Sequence, residues 1–331
     1  MLYFMCPSNW AAHLSTIVSR LSFVELTRNM RSSFAPRVRH AVGSPLRGLW
    51  RMALLAVALA LLQGCSAIKL GYNQADDLAY WWLDGYADFS AAQSQRLRAG
   101  LREVHQWHRT QELPLLAAWL QQAHNLAAEP VSAEQICQLA DAGQLRLNAL
   151  TAKAMPALTA VALDLSGKQL AHLERRWAKK NAAWQDDWLK LSPAERDQKR
   201  LDNFVDRFES FYGSLTPAQV QLLRQQVQQS AWTAPWGWQD RLYKQQQLLD
   251  LLRAFQTQTP PPSRAQEDLW RLVMGWTSTI EGFGFETRQR LKQEACANIA
   301  QLHNTTSPAQ RLKAAQRLRA YASDFKDLST P

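Results

Sequence analysis

His105 and His108 stand three residues apart, beside Trp107. On a helix that spacing puts both imidazoles on one face, where they can share a metal ion. An ion needs further ligands, and no Glu-x-x-His or cysteine pair stands near to supply them. No metal is therefore assigned. Glu281-Gly-Phe-Gly-Phe-Glu286 has too few glycines for a phosphate loop and follows no strand. The chain has no Gly-x-Ser-x-Gly elbow, no His-Glu-x-x-His and no Walker sequence. No His and Asn set can be matched to Cys137 as a nucleophile. No catalytic residue and no cofactor is assigned, so the chain reads as a binder and not an enzyme.

Tryptophans are the residues best suited to binding. Trp10 and Trp50 fall before residue 65, which leaves 12 of the 14 in the rest of the chain. Trp232, Trp236 and Trp238 surround Pro235 and Gly237 at an expected helix break. They form the candidate binding surface, three indoles able to line an apolar or peptide groove. That reading needs at least two of them partly exposed on one concave face; the competing one packs all three inside. Tyr80-Trp81-Trp82 and Tyr86 either form the aromatic core of the first helices or touch a membrane surface, since amphipathic rings favour the headgroup layer.

Residues 52–62 contain no polar group. Eleven residues make about 16 Å of helix, too short for a hydrocarbon core of roughly 30 Å. With Arg47 and Arg51 in front, they have the anatomy of a signal peptide. Met30, followed by Arg31, Arg37 and Arg39, gives a more normal basic region than Met1 and is the preferred start. Leu62-Gln63-Gly64-Cys65 resembles the lipobox of bacterial lipoproteins. The resemblance implies cleavage before Cys65, diacylglycerol on its sulfur and acylation of the new amine. It makes the membrane a partner through that lipid. Ser66 follows where Asp resembles an inner-membrane retention signal, so the expected location is the periplasmic face of the outer membrane. If Cys65 carries lipid, Cys137 and Cys296 remain in an oxidising compartment, and a disulfide between them is expected. The alternative is two buried thiols.

Net charge is +10, but residues 1–64 hold seven of the 38 basic groups and one of the 28 acidic ones. The remainder is mixed in sign and only mildly basic. It lacks the clustered footprint of a nucleic-acid binder, and none is expected as a partner.

The elements that carry these residues are legible as helix starts. A Ser or Thr cap with Glu or Gln three residues later satisfies two backbone donors reciprocally. The pattern occurs at Ser90/Gln93, Ser132/Gln135, Ser166/Gln169, Ser192/Glu195, Thr216/Gln219, Ser263/Gln266 and Ser307/Gln310. Pro193, Pro217 and Pro308 occupy first helical positions, where a missing N–H costs nothing. Apolar residues follow at helical spacing: Leu97, Leu101 and Val104 with His108; Leu170, Leu173, Trp177 and Trp184; Leu201, Phe204, Phe208 and Phe211. No run alternates polar and apolar with β-branched residues. The fold predicted is all-α, a bundle of about eight to ten helices. Pro114 and Pro156 should kink or end helices, and Gly213 should cap one. The organisation read from the chain is a removed segment over 1–64, a tether over 65–73 spanning at most roughly 28 Å, and one domain over 74–331. Residues 257–263, with Pro260-Pro261-Pro262, mark a candidate subdomain break.

Tyr72-Asn73-Gln74-Ala75-Asp76, Tyr80-Trp81-Trp82-Leu83-Asp84, Leu173-Glu174-Arg175-Arg176, and Cys296 with Leu302-His303-Asn304-x-Thr306-x-Pro308-Ala309-Gln310-Arg311 resemble a Gram-negative lipoprotein family catalogued as a domain of unknown function. That resemblance spans the chain after Cys65 and implies no activity. Leu215-Thr216-Pro217-Ala218-Gln219 resembles the Leu-Thr-x-x-Gln motif of helical Spy-type periplasmic chaperones, and a capping box yields the same letters. The function expected is an envelope interaction or chaperone-like protein with a protein or peptide partner. The alternatives are a carrier of an apolar ligand in a Trp-lined cavity and an enzyme without a recognisable motif.

Overall fold

The computed structural model describes residues 67–277 and 283–330, and every regular element in them is helical. The helices are α1 Ala67–Asn73, α2 Ala75–Ala87, α3 Ala91–Trp107, α4 Leu113–Leu126, α5 Ala133–Ala162, α6 Gly167–Trp184, α7 Pro193–Tyr212, α8 Pro217–Gln229, α9 Ala234–Gln258, α10 Pro262–Thr277, α11 Phe285–Asn304 and α12 Pro308–Ser329. A π turn over His108–Glu112 joins α3 to α4, and another over Gln185–Leu189 extends α6. Counting each π-joined run once, the described residues form 11 helices. The all-α multi-helix bundle is the fold.

Six of the seven capping boxes form, each with both reciprocal hydrogen bonds. The seventh does not. Pro262 takes the first helical position of α10, and the Ala265 N–H bonds Pro261 O at 3.0 Å, so Ser263 already lies inside the helix. The proline's fixed φ starts the helix one residue too early for Ser263 to cap it. Gly213 does close α7, with a positive φ of 74°. Pro156 does not end α5; the helix continues through it to Ala162. Pro114 sits in the first turn of α4, directly after the π turn.

Gly71–Pro331 form one compact unit. Within this unit, α4 lies along α12, α5 along α11 and α3, and α7 along α8. The main core joins Met155 and Ala162 of α5, Leu170 and Leu173 of α6, Leu249, Leu252 and Phe255 of α9, and Ala265 and Leu269 of α10. Side chains from both sides of the 257–263 turn thus share one cluster. A second core holds Leu201, Leu223, Val227 and Leu302; a third holds Tyr80, Leu97 and Val161. Phe204, expected on the buried face of α7, is instead exposed.

Three devices lock the helices. Cys137 of α5 and Cys296 of α11 form the expected disulfide, with Cα atoms 5.3 Å apart. Asn304 clamps the turn before α5 by accepting from Val131 N–H and donating to Val131 O, both at 2.9 Å. The third device reuses the capping glutamines. Gln219 caps α8 through its oxygen, then donates to Thr305 O and to Gln310 Oε1 at 3.0 Å. Gln310 caps α12 and donates to Ser214 O. Gln93 and Gln169 join the starts of α3 and α6 in the same way. An amide can accept from the cap and donate to a neighbour at once; a carboxylate can only accept.

Candidate functional site

The indole cluster begins at the π turn after α6. Trp184 and Trp188, one turn apart, have ring centroids 6.4 Å apart. Trp238 of α9 stacks on Trp184 at 5.5 Å, and Trp232 meets Trp188 edge-on at 5.1 Å. Thr233 starts α9 by accepting from Trp236 N–H, which fixes Trp232 just outside the helix. Gly237 lets the Trp232 ring approach closely, since a Cβ there would come within 3.1 Å of the indole nitrogen. Trp232 is only 6% exposed, while Trp184, Trp188 and Trp238 are half-buried.

Two cations from α7 border the cluster. The Arg200 guanidinium lies 4.8 Å from the Trp232 ring and donates to Val227 O. The Lys199 ammonium lies 4.9 Å from the Trp188 ring and pairs with Asp187 at 3.0 Å. Rings with a negative face hold such cations in place.

Of the three tryptophans singled out in the sequence, Trp232 and Trp238 meet in this cluster and Trp236 does not. Trp236 is half-buried and faces Gly284, whose added Cβ would sit 3.4 Å from its indole nitrogen. Beside it, Asp240 pairs with Lys244 at 2.6 Å and Arg288 at 3.2 Å. Trp184 and Trp188 were missed as site residues, although their spacing of four was a readable signal of neighbouring rings on one helix face.

The histidines of α3 have other partners. The Tyr72 hydroxyl lies 2.9 Å from His108 Nδ1, and Asp76 lies 3.5 Å from His105 Nδ1. Arg109 reaches Asn73 at 2.6 Å. Burial lowers the pKa of both histidines and raises that of Tyr72 to about 12. The group ties the start of the chain after residue 71 to the first π turn. Among the described residues no three His, Cys, Asp or Glu side chains are placed to hold a metal. A parallel pair lies deeper: His303 Nε2 faces Glu129 O and Nδ1 faces Tyr212 Oη, both at 2.9 Å. A carbonyl can only accept, so Nε2 carries the proton and the tyrosine donates to Nδ1.

A groove of about 420 Å³ runs past Arg96, Pro156, Thr159, Leu163 and Pro262. A neighbouring one of about 300 Å³ meets Met155, Gln266 and Trp270. Neither is lined by the cluster tryptophans.

A family model described as a family of unknown function (DUF6279) matches residues 85–271, more than half of the chain. The chain belongs to this family. The DUF6279 region contains all four clustered indoles and both π turns, but only one partner of the disulfide and one of the Tyr212–His303 pair. No curated protein and no solved structure matches the chain significantly. In the Leu215–Gln219 segment, the local Thr216–Gln219 cap and the long-range amide contact of Gln219 with Gln310 account for the two polar letters. Cys65 and residues 52–64 lie outside the described residues. Among the described ones, no helix is long and apolar enough to cross a membrane.

Proposed function

We propose that the protein is exported, lipidated at Cys65 and held at the periplasmic face of the outer membrane, where it binds a polypeptide partner and catalyses no reaction. The half-open indole cluster of Trp184, Trp188, Trp232 and Trp238, bordered by Lys199 and Arg200, carries the binding part of this reading. Trp and Arg are enriched among interface residues whose truncation costs about 2 kcal/mol or more of binding. A pre-packed indole loses little side-chain freedom when it binds, so most of its contact area contributes to affinity. The lipobox-like Leu62-Gln63-Gly64-Cys65 supports the anchoring part.

The test places a photoreactive amino acid at Trp238 and irradiates intact cells. A discrete adduct that disappears with Trp184→Ala, while helical content and the Cys137–Cys296 bridge persist, supports the reading. No adduct, or one indifferent to Trp184, refutes the site. Mass spectrometry of the mature N-terminus should find acylated Cys65; a chain that keeps residues 52–64 refutes the anchor.

A further inference from the structure

Trp81 and Trp82 are 62% and 56% exposed, yet neither is loose. Trp82 packs on Tyr86 at 5.1 Å between ring centroids, and Trp81 lies edge-on to Tyr80 at 5.4 Å. The Arg98 guanidinium sits 3.5 Å from the Tyr80 ring and 5.2 Å from the Trp81 ring, and bonds Asp77 at 2.6 Å. Tyr80 is buried in the third core and anchors Trp81 there. Among the described residues neither exposed indole N–H meets an acceptor. Two held indoles on successive residues of α2 therefore offer exposed apolar faces and free N–H edges.

Chain reach decides what covers them. Cys65 precedes Trp81 by sixteen residues. Most of that stretch is the helices α1 and α2. At about 1.5 Å per helical residue and about 3.6 Å per extended one, Trp81 stays within roughly 32 Å of Cys65. Acyl chains on Cys65 would hold α2 near the bilayer surface. Tryptophan concentrates in that layer, with its ring among the first methylenes and its N–H on headgroup oxygens. We infer that Trp81 and Trp82 rest in the phospholipid headgroup layer and set the orientation of the body on the membrane. This inference rests on the anchoring proposed above.

The mature chain from Cys65 can be coupled through that thiol to maleimide-headgroup lipid, since Cys137 and Cys296 are already joined. The vesicles are phosphatidylethanolamine and phosphatidylglycerol with brominated acyl chains, which quench indoles at the interface. Two of 12 tryptophans should be quenched, a loss of about one-sixth of the emission. The pair W81S/W82S should abolish that loss while helical content and the disulfide stay intact, as expected for exposed positions. Soluble iodide should reach these two indoles in the free chain and not on vesicles. No quenching, equal quenching in the variant, or dimers formed through these indoles without quenching overturns the placement. The N-terminal mass from cells separates the two readings: acylated Cys65 without quenching overturns the placement alone, whereas unacylated Cys65 overturns the anchor and the placement with it.

Discussion

Gln219→Glu isolates the role of the amide clamp between the starts of α8 and α12. Gln219 is 3% exposed; its oxygen accepts from Thr216 N–H and Gln310 Nε2, and its nitrogen donates to Thr305 O and Gln310 Oε1. A glutamate of the same shape keeps the capping acceptor and loses both donations. It leaves Thr305 O without this donor and sets a carboxylate against Gln310 Oε1. Each buried polar group left unpaired costs about 1–3 kcal/mol, and an uncompensated charge adds more. The expected loss is about 3–5 kcal/mol, read as a lower urea midpoint at unchanged slope. Gln135→Glu serves as the control, because that box is exposed and, among the described residues, its amide bonds nothing outside it; its change should stay within about 0.5 kcal/mol. The Gln219→Glu penalty should shrink at acid pH, where a protonated carboxyl regains a donor. A loss below about 1 kcal/mol, or equal losses at the two positions, refutes the clamp.

Further outcomes follow from other contacts. Cys137→Ser with Cys296→Ser opens a loop with a sequence separation of 159; the chain-entropy model puts the loss near 5 kcal/mol as an upper figure, measurable by denaturation with and without reductant. Gly100→Ala puts a Cβ within 2.5 Å of Ala157 Cβ across the α3–α5 contact, so a loss of about 1–3 kcal/mol is expected, and a neutral result in urea denaturation refutes the close approach. Burial depresses His105, His108 and His303 below the ordinary 6.5, so the unfolded chain takes up protons first. Stability should therefore be full above about pH 7 and fall as pH drops through 6.5; His303→Gln should flatten part of that slope in thermal melts. Tyr72 and Tyr212, both raised to about 12, give the opposite limb, with stability present below pH 10 and lost between 10 and 12.

The all-α class and most helix starts were legible because their causes are local. A hydroxyl three residues before an amide satisfies the same two backbone donors wherever the helix finally packs, and six of seven such signals form. The Cys137–Cys296 pairing was reached by elimination and needed no geometry. The exception at Ser263 is also local, since Pro262 competes for the helix start. What lies across the bundle was not legible. Gln219 and Gln310 are 91 residues apart, and nothing local distinguishes their boxes from the exposed one at Ser132. The same holds for the indoles: Trp232, Trp236 and Trp238 look equivalent around one turn, yet packing sends two toward Trp184 and Trp188 and the third toward Gly284. Chain order determines what a residue can do with its near neighbours. Which distant side chain it meets depends on how whole helices bury their apolar faces, and that tertiary choice set the clamps, the buried tyrosine–histidine pair and the shape of the candidate surface.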